Sequence, residues 1–384
     1  LLITNARILT PAAEWGNGWL LTDGARIGAL GPGAPPESAR GSGAQHLEAT
    51  GLALLPGFID LHVHGAMGHE VMDADPAGLQ AMARFFAEHG VTAFLPTTWT
   101  ASREAIRRAL KTVADMPATT SGAAILGAHL EGPYLNPEKC GAQAARFIRS
   151  AQRDEALEFL DTGVIRLLAL APEFAENEWL IDECARRGLA VSAAHTAATY
   201  EQMVAAVGRG LRHATHTFNA MVGLGHHEPG TVGAALALPE IACELIADNI
   251  HVHPATMKVM VAAKGPERVI LVTDAIRAAG LPEGEYQLDD RVVQVRGGAV
   301  RLPNGSLAGS VLTMDAALRN LLRATGLSLR EAWPMTSLNA ARALGLDSHK
   351  GSLAAGKDAD LVLLDTTLSV QLTVVAGEVV FRKK

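Results

Sequence analysis

Pro56-Gly57-Phe58-Ile59-Asp60-Leu61-His62-Val63-His64-Gly65 is an apolar run that closes on two histidines. An apolar run of this length, opened by Pro-Gly and stopped by Gly, reads as a strand covered on both faces, as a parallel sheet requires. Residues i and i+2 of a strand point to the same side, so His62 and His64 share one face. Outward from this segment, seven more runs of the same kind recur at the scale of a βα unit: Val91–Thr97, Ala124–Glu131, Ile165–Ala171, Leu189–His195, Leu211–His216, Ile241–Asp248 and Val269–Asp274. Helical periodicity follows most of them, over Ala77–His89, Ser102–Ala114, Glu176–Arg187 and Tyr200–Val207. Eight strands alternating with helices predict an α/β chain built on a (β/α)8 TIM barrel. The alternative, a doubly wound open sheet, needs a Gly-rich phosphate turn after its first strand, and no GxGxxG stands there.

Both ends of the chain read differently. Leu1–Leu9, Trp19–Thr22 and Arg26–Leu30 look like strands, broken by Gly31-Pro32-Gly33 and Pro35-Pro36, and Asp360–Leu364, Gln371–Ala376 and Glu378–Phe381 repeat the style. Neither end is long enough for a core of its own. One small β-sandwich made from residues 1–55 plus 346–384 is expected beside a catalytic barrel over 56–345. With 384 residues, 48% hydrophobic and 19% charged, the chain can fill a large core and is not of disordered composition. Its net charge of −7 leaves no basic stripe for a phosphate backbone, so nucleic acid is not an expected partner. No apolar run approaches the ~18 residues that span a bilayer, so no membrane is expected either. Leu1 to Thr10 lacks a basic leader region and a cleavage site and is read as a strand, not a signal peptide. Three cysteines, Cys140, Cys184 and Cys243, argue against a disulfide framework and for a reducing compartment, the cytoplasm.

In a barrel of this kind the chemistry sits at the C-terminal ends of the strands. Those ends carry His62 and His64, Glu131, His195, His216, Asp248 followed by His251, and Asp274. A single histidine closing an apolar run is more often a satisfied core residue than a ligand, and Glu131 alone fits a buried salt bridge. Gathered at one end, they favour a divalent metal site. Nitrogen and oxygen donors of this kind suit Zn²⁺, with Fe²⁺, Co²⁺ or Mn²⁺ as alternatives. A metal lowers the pKa of bound water to about 7, and a carboxylate beside it, Asp274, can take that proton and return it to a leaving amine. The competing reading of Asp274 is a helix N-cap. His129, His213, His226, His227 and His253 lie near these motifs, while His46, His69, His89 and His349 are assigned no role.

The Pro56–Gly65 stretch resembles the entry motif of the amidohydrolase superfamily, and Gly356-Lys357-Asp358-Ala359-Asp360-Leu361-Val362 resembles its return to the terminal sheet. Within the barrel, His129-Leu130-Glu131-Gly132-Pro133-Tyr134-Leu135 is similar to the HLEGP segment of the N-acetylglucosamine-6-phosphate deacetylase family. Ala194-His195-Thr196, Ala214 to Met221, Glu228-Pro229-Gly230, Ala247 to Pro254, Thr273-Asp274-Ala275 and Leu307-Ala308-Gly309-Ser310 match in the same order. The resemblance implies a metal-dependent barrel with a terminal β-sandwich. Glu131, His195 and His216 would be the core metal ligands, and His62 and His64 a second site used by some members, with one or two metals per subunit. Asp274 would act as general base, then acid, around attack of metal-bound hydroxide on an N-acetyl group, giving acetate and glucosamine 6-phosphate. His251 would contact a sugar hydroxyl, Asn219 and Ala220 would offer backbone donors to the 6-phosphate, and the stretch from Leu307 and Ala308 to Ser310 would line the sugar and acetyl pocket. A homodimer is implied as well.

Three departures stand out. His227 stands where an arginine often contacts phosphate from the neighbouring subunit, Gln143 where many members place a histidine near the acetyl carbonyl, and Asn249 where glycine is frequent. Two rivals remain within the superfamily: an enzyme for a cyclic amide, such as a dihydroorotase or hydantoinase, and a non-catalytic scaffold. The first often bridges its metals with a carboxylated lysine, and no lysine ends a predicted barrel strand; the second usually loses ligands. A sugar-phosphate isomerase on a plain TIM barrel would need neither the histidine pair nor the terminal sandwich.

Overall fold

The computed structural model describes residues 1–117 and 121–384. Eight parallel strands form its centre: β1 (Phe58–Val63), β2 (Val91–Pro96), β3 (Ala128–Glu131), β4 (Ile165–Leu170), β5 (Ala190–Ala193), β6 (His213–Ala214), β7 (Ala242–Ile246) and β8 (Val269–Val272). Each falls inside one of the apolar runs. Strands β3 to β8 form one sheet in sequence order, and β1 pairs with β2 in another. Backbone bonds at the mouth join the two, Thr98 N–H to His129 O (3.0 Å) on one side and Asp274 N–H to His62 O (2.8 Å) on the other. The ring of strands therefore closes where the polar strand ends lie.

The expected helices are present as Pro76–Glu88, Arg103–Asp115, Ala175–Arg186 and Tyr200–Arg209. Their starts are chemically marked. Asp75 accepts from Ala77 and Gly78 N–H with Pro76 at the first helical position, Ser102 accepts from Ala105 N–H, and Thr199 and Gln202 form a reciprocal cap. Leu79, Met82, Phe86, Ile106, Leu110, Leu180 and Ile181 bury their apolar faces against the barrel in one continuous core.

The two chain ends meet in a single eight-stranded sheet. Leu361–Leu364 pairs antiparallel with Ala53–Pro56, which in turn runs parallel to Leu2–Leu9. The sheet curls until its far edge returns, through Ile27 N–H to Lys357 O (2.8 Å) and Ala359 N–H to Ala25 O (2.8 Å). The expected sandwich thus takes the form of one continuous sheet rolled over its own core of Ile3, Ile8, Leu20, Leu54, Leu361 and Leu363. Alternation explains how it also seats on the barrel: Leu55, Val362 and Leu364 point the other way, into the barrel's core.

One element was not expected. Between β8 and the last helices, Gly284–Leu288, Arg291–Arg296, Ala299–Arg301 and Leu307–Ser310 form a four-stranded antiparallel sheet. It closes over its own cluster of Ile276, Leu288, Val293, Val295, Val300 and Ala308. Ser310 N–H to Asp274 O (2.8 Å) and Ile276 N–H to Ser310 O (3.0 Å) fasten it to the barrel mouth.

Candidate active site

Five strands place the convergent side chains at the mouth. His62 on β1 and His64, just past its end, point inward with their Nε2 atoms 3.2 Å apart. Glu131 ends β3, and His195 and His216 follow β5 and β6. The Glu131 carboxylate divides its two oxygens. Its Oε2 lies 3.4 Å from His62 Nε2 and 3.2 Å from His64 Nε2; its Oε1 lies 3.2 Å from His195 Nε2 and 3.1 Å from His216 Nε2. Asp274 faces the first pair, its Oδ1 3.5 Å from His62 Nε2 and 3.3 Å from His64 Nε2. The predicted ligands and the predicted base therefore come together, all of them buried.

The outer nitrogens of three histidines explain why their inner ones converge, while His216 Nδ1 meets no partner among the described residues. His62 Nδ1 faces a Glu244 oxygen (3.3 Å), His64 Nδ1 the Thr97 carbonyl (3.2 Å) and His195 Nδ1 the Lys139 carbonyl (2.8 Å). Each of these partners only accepts, so each Nδ1 donates and each Nε2 keeps its lone pair. Lone pairs and carboxylate oxygens packed this closely repel unless a positive charge sits among them. Two overlapping donor sets, His62–His64–Glu131 and Glu131–His195–His216, each bring their atoms within 4.8 Å of one another, which fits a divalent cation. Protons take that place otherwise. Burial disfavours charge on His62, but the Glu131 and Asp274 carboxylates carry it well above the usual imidazole range. Burial alone would raise Glu131, yet the His62 charge and hydrogen bonds from His195 and His216 hold it well below the usual carboxylate range.

His195, His216 and Asp274 all have left-handed backbones, with φ of 43°, 30° and 51°. Such conformations cost non-glycine residues of order 1–3 kcal/mol and persist where the surroundings enforce them. Here the backbone turns at the strand end and presents the side chain to the mouth, with Asp274 pinned by its bond to His62 O and by Ser310.

The mouth opens into a cavity of about 490 Å³ lined by Trp99, Gln143, Asn219, His251, Arg301 and Leu307 among others. His251 is oriented by Asp248, which accepts from His251 Nδ1 (2.6 Å) and from the N–H groups of Ile250 and His251. Gln143 is already committed, donating to Glu131 Oε2 (2.8 Å) and accepting from Thr100 N–H (2.8 Å). The Asn219 N–H is engaged by His216 O (3.0 Å), whereas the Ala220 N–H meets no acceptor among the described residues. Ala308 does not line the cavity: strand alternation turns Leu307 and Gly309 to it and Ala308 into the apolar cluster behind. His227 lies outside it too, on an exposed loop with its ring 4.1 Å from that of His226.

Sequence reading missed several members. Asp60 accepts from Thr273 Oγ1 (2.6 Å) and from His62 N–H (3.2 Å), locking β1 to β8, and burial pushes its carboxyl up to about 7. Trp99 stacks on His64 with ring centroids 3.8 Å apart. Glu244 supports His62 from behind. The available signal was a carboxylate inside an apolar run, Asp60 two residues before His62 and Glu244 in the middle of β7.

A carboxylate shared by two histidine pairs at the C-terminal mouth of a parallel barrel, with a further aspartate beside them, defines a metal-dependent hydrolase. A profile of the amidohydrolase family matches residues 53–380. Similar curated proteins include the N-acetylgalactosamine-6-phosphate deacetylase of Escherichia coli O157:H7, 42% identical over 85% of this chain and 87% of that protein. The N-acetylglucosamine-6-phosphate deacetylase of Bacillus subtilis is 36% identical over 100% of this chain and 98% of its own. Among solved structures, the N-acetylglucosamine-6-phosphate deacetylase of Thermotoga maritima superposes with a TM-score of 0.90 at 35% identity, covering 100% of both chains. A variant of the Mycobacterium smegmatis enzyme in complex with N-acetyl-D-glucosamine-6-phosphate gives 0.91 at 33% identity, covering 99% of each. The chain belongs to the amidohydrolase family and, within it, to the N-acetylglucosamine-6-phosphate deacetylases, hydrolases that act on a linear amide.

Proposed function

We propose that this protein removes the N-acetyl group of an N-acetylhexosamine 6-phosphate, N-acetylglucosamine 6-phosphate first, releasing acetate and the amino-sugar phosphate. The observation that carries this reading is the convergence of Asp274 and both histidine pairs on Glu131 at the floor of a cavity that also holds two cations. Lys139 and Arg301 line that cavity beside Glu138, and neither is in a salt bridge among the described residues, Arg301 donating to the Gly305 carbonyl, in a chain of net charge −7. Unpaired cations there favour an anionic substrate.

His62, His64, Glu131, His195 and His216 would hold one or two divalent cations, Zn²⁺ first. A bound cation supplies a polarised amide carbonyl, an acidified water and charge for the tetrahedral oxyanion. The chain's own residues do the rest. Asp274 Oδ1 takes a proton from the attacking water and hands it to the departing amine. His251, its Nδ1 tied to Asp248, turns Nε2 to a sugar hydroxyl. The free Ala220 N–H and Arg301 face the phosphate, and Leu307 packs on the sugar. Gln143, committed to Glu131, acts on the metal site and not directly on the acetyl group. The chain would work as a homodimer, and its three unpaired cysteines fit a reducing cytoplasm. No helix among the described residues is long and apolar enough to cross a membrane.

The test is acetate release by Zn²⁺-loaded protein from N-acetylglucosamine 6-phosphate, N-acetylgalactosamine 6-phosphate and unphosphorylated N-acetylglucosamine. A strong preference for a phosphorylated sugar is expected, and the galactosamine arm reads out the alternative raised by the 42% identical relative. Equal turnover with and without phosphate would remove the anionic-substrate reading.

A further inference from the structure

Behind the ligands, on the side away from the cavity, one carboxylate reaches both halves of the site. Glu244 sits in the middle of β7, fully buried in the run Ala242-Cys243-Glu244-Leu245-Ile246. Its Oε2 lies 3.3 Å from His62 Nδ1 and 3.2 Å from the His216 backbone N–H. His62 belongs to one donor set and His216 to the other. Glu131 joins the two sets from the front, and Glu244 joins them from the back.

A carboxylate kept there for stability alone would be saturated with donors. This one is not: its Oε1 has no hydrogen-bond partner among the described residues. Burying a charged group with half its acceptor capacity unused is costly. What the position delivers is orientation. The carboxylate can only accept, so His62 must carry its proton on Nδ1 and present an Nε2 lone pair to Glu131 and His64. The same oxygen holds the backbone of His216 in its left-handed turn (φ 30°), which aims the ring at Glu131 Oε1.

We propose that Glu244 is a positioning residue for metal binding, setting the tautomer of His62 and the backbone of His216 through one shared oxygen. The inference rests on the reading that the five ligands named above hold a metal. Two variants separate acceptor from volume. Glu244→Gln can keep an oxygen where Oε2 stands, whereas Glu244→Met has similar bulk and no acceptor.

Affinity for Zn²⁺ is measured by competition with a chromophoric chelator, alongside the thermal midpoint of the metal-free protein. Glu244→Met is expected to lose 10–100-fold in affinity with a metal-free midpoint that does not fall, and Glu244→Gln to stay within a few-fold of the wild type. In the zinc-loaded wild type with ¹⁵N-labelled histidine, long-range ¹H–¹⁵N spectra are expected to place the His62 proton on Nδ1. Unchanged affinity in Glu244→Met, equal losses in both variants, or a His62 without its Nδ1 proton would each overturn the proposal. The last readout needs no variant to fold. A wild type that binds no Zn²⁺ would instead bring down the metal-site reading on which the proposal rests.

Discussion

Asp274 holds a backbone conformation that only a few per cent of non-glycine residues adopt, and its carboxylate points at two imidazoles. Its Oδ1 sits beside the His62–His64 pair and is no member of the Glu131–His195–His216 set, so a metal held by that set does not depend on it. Asp274→Asn keeps the shape and hydrogen-bonding reach and removes only the proton acceptor. The variant should retain the metal of the Glu131–His195–His216 set and lose roughly 10²–10⁴-fold in kcat, the range of a positioned acid–base group. Metal analysis beside steady-state kinetics checks both halves; full activity with metal bound would reassign the base. At this scale the sequence foretold which side chains gather at the mouth wherever an imidazole or carboxylate closed an apolar run, as with His62, His64, Glu131, His195, His216 and Asp274. It was not legible where side-chain direction decides. Ala308 and Leu307 are neighbours in one motif, and only the pleat turns one to the cavity and the other to the core.

The eight barrel strands could be read from their continuous apolar runs because helices or the terminal sheet cover them on the outside. The four-stranded sheet over Gly284–Ser310 was missed although its alternation is plain, Val293 and Val295 being buried between exposed Val292, Gln294 and Arg296. It breaks the βα rhythm, and its strands pack on a satellite cluster with no claim on the barrel's core. Elements also explain histidines that carry no ligand role. His213 opens β6 at the end away from the mouth, buried, and its Nδ1 has no hydrogen-bond partner among the described residues. Burial, helped by the Arg268 and Arg212 charges, pushes its imidazole down from 6.5 to about 4. Above pH 6.5 both folded and unfolded states are neutral there and nothing changes. As pH falls from 6.5 toward 4, the unfolded chain takes the proton first, so folding stability declines, by about 3 kcal/mol over the whole window. His213→Gln should flatten that decline by a similar amount in denaturant unfolding at pH 4.5 against pH 7. An unchanged slope would mean that His213 titrates normally in the fold.

At the scale of the whole molecule, an apolar groove beside the mouth stands out among the described residues. Leu224 is 63% exposed and Val259 55% exposed, and they border a groove of about 460 Å³ with Phe218, Val232 and Leu236. Exposed large apolar side chains are ordinary when scattered; gathered around a groove they mark a contact surface. Position decides what the contact does. Phe218 lies between His216, a predicted ligand, and Asn219 in the cavity wall, and Leu224 precedes His227 on the same loop. A second copy docked on this groove would bury the loop that carries His227 and stiffen the turn that presents Ala220. A stable dimer needs about 800 Å² from each partner, more than the groove alone offers, so the surrounding loop must join it. Leu224→Asp places a charge where the partner's apolar surface would press, at little cost to the fold, because the side chain is open to water. The wild type should sediment as a dimer and the variant as a monomer. Metal content should be unchanged, since no ligand leaves its own chain. If the docked loop reaches the phosphate, as the family resemblance at position 227 implies, the KM for the phosphorylated sugar should rise while that for the unphosphorylated sugar stays put. A monomeric wild type would remove the homodimer reading, and a monomeric variant with an unchanged KM would make the dimer a matter of stability alone.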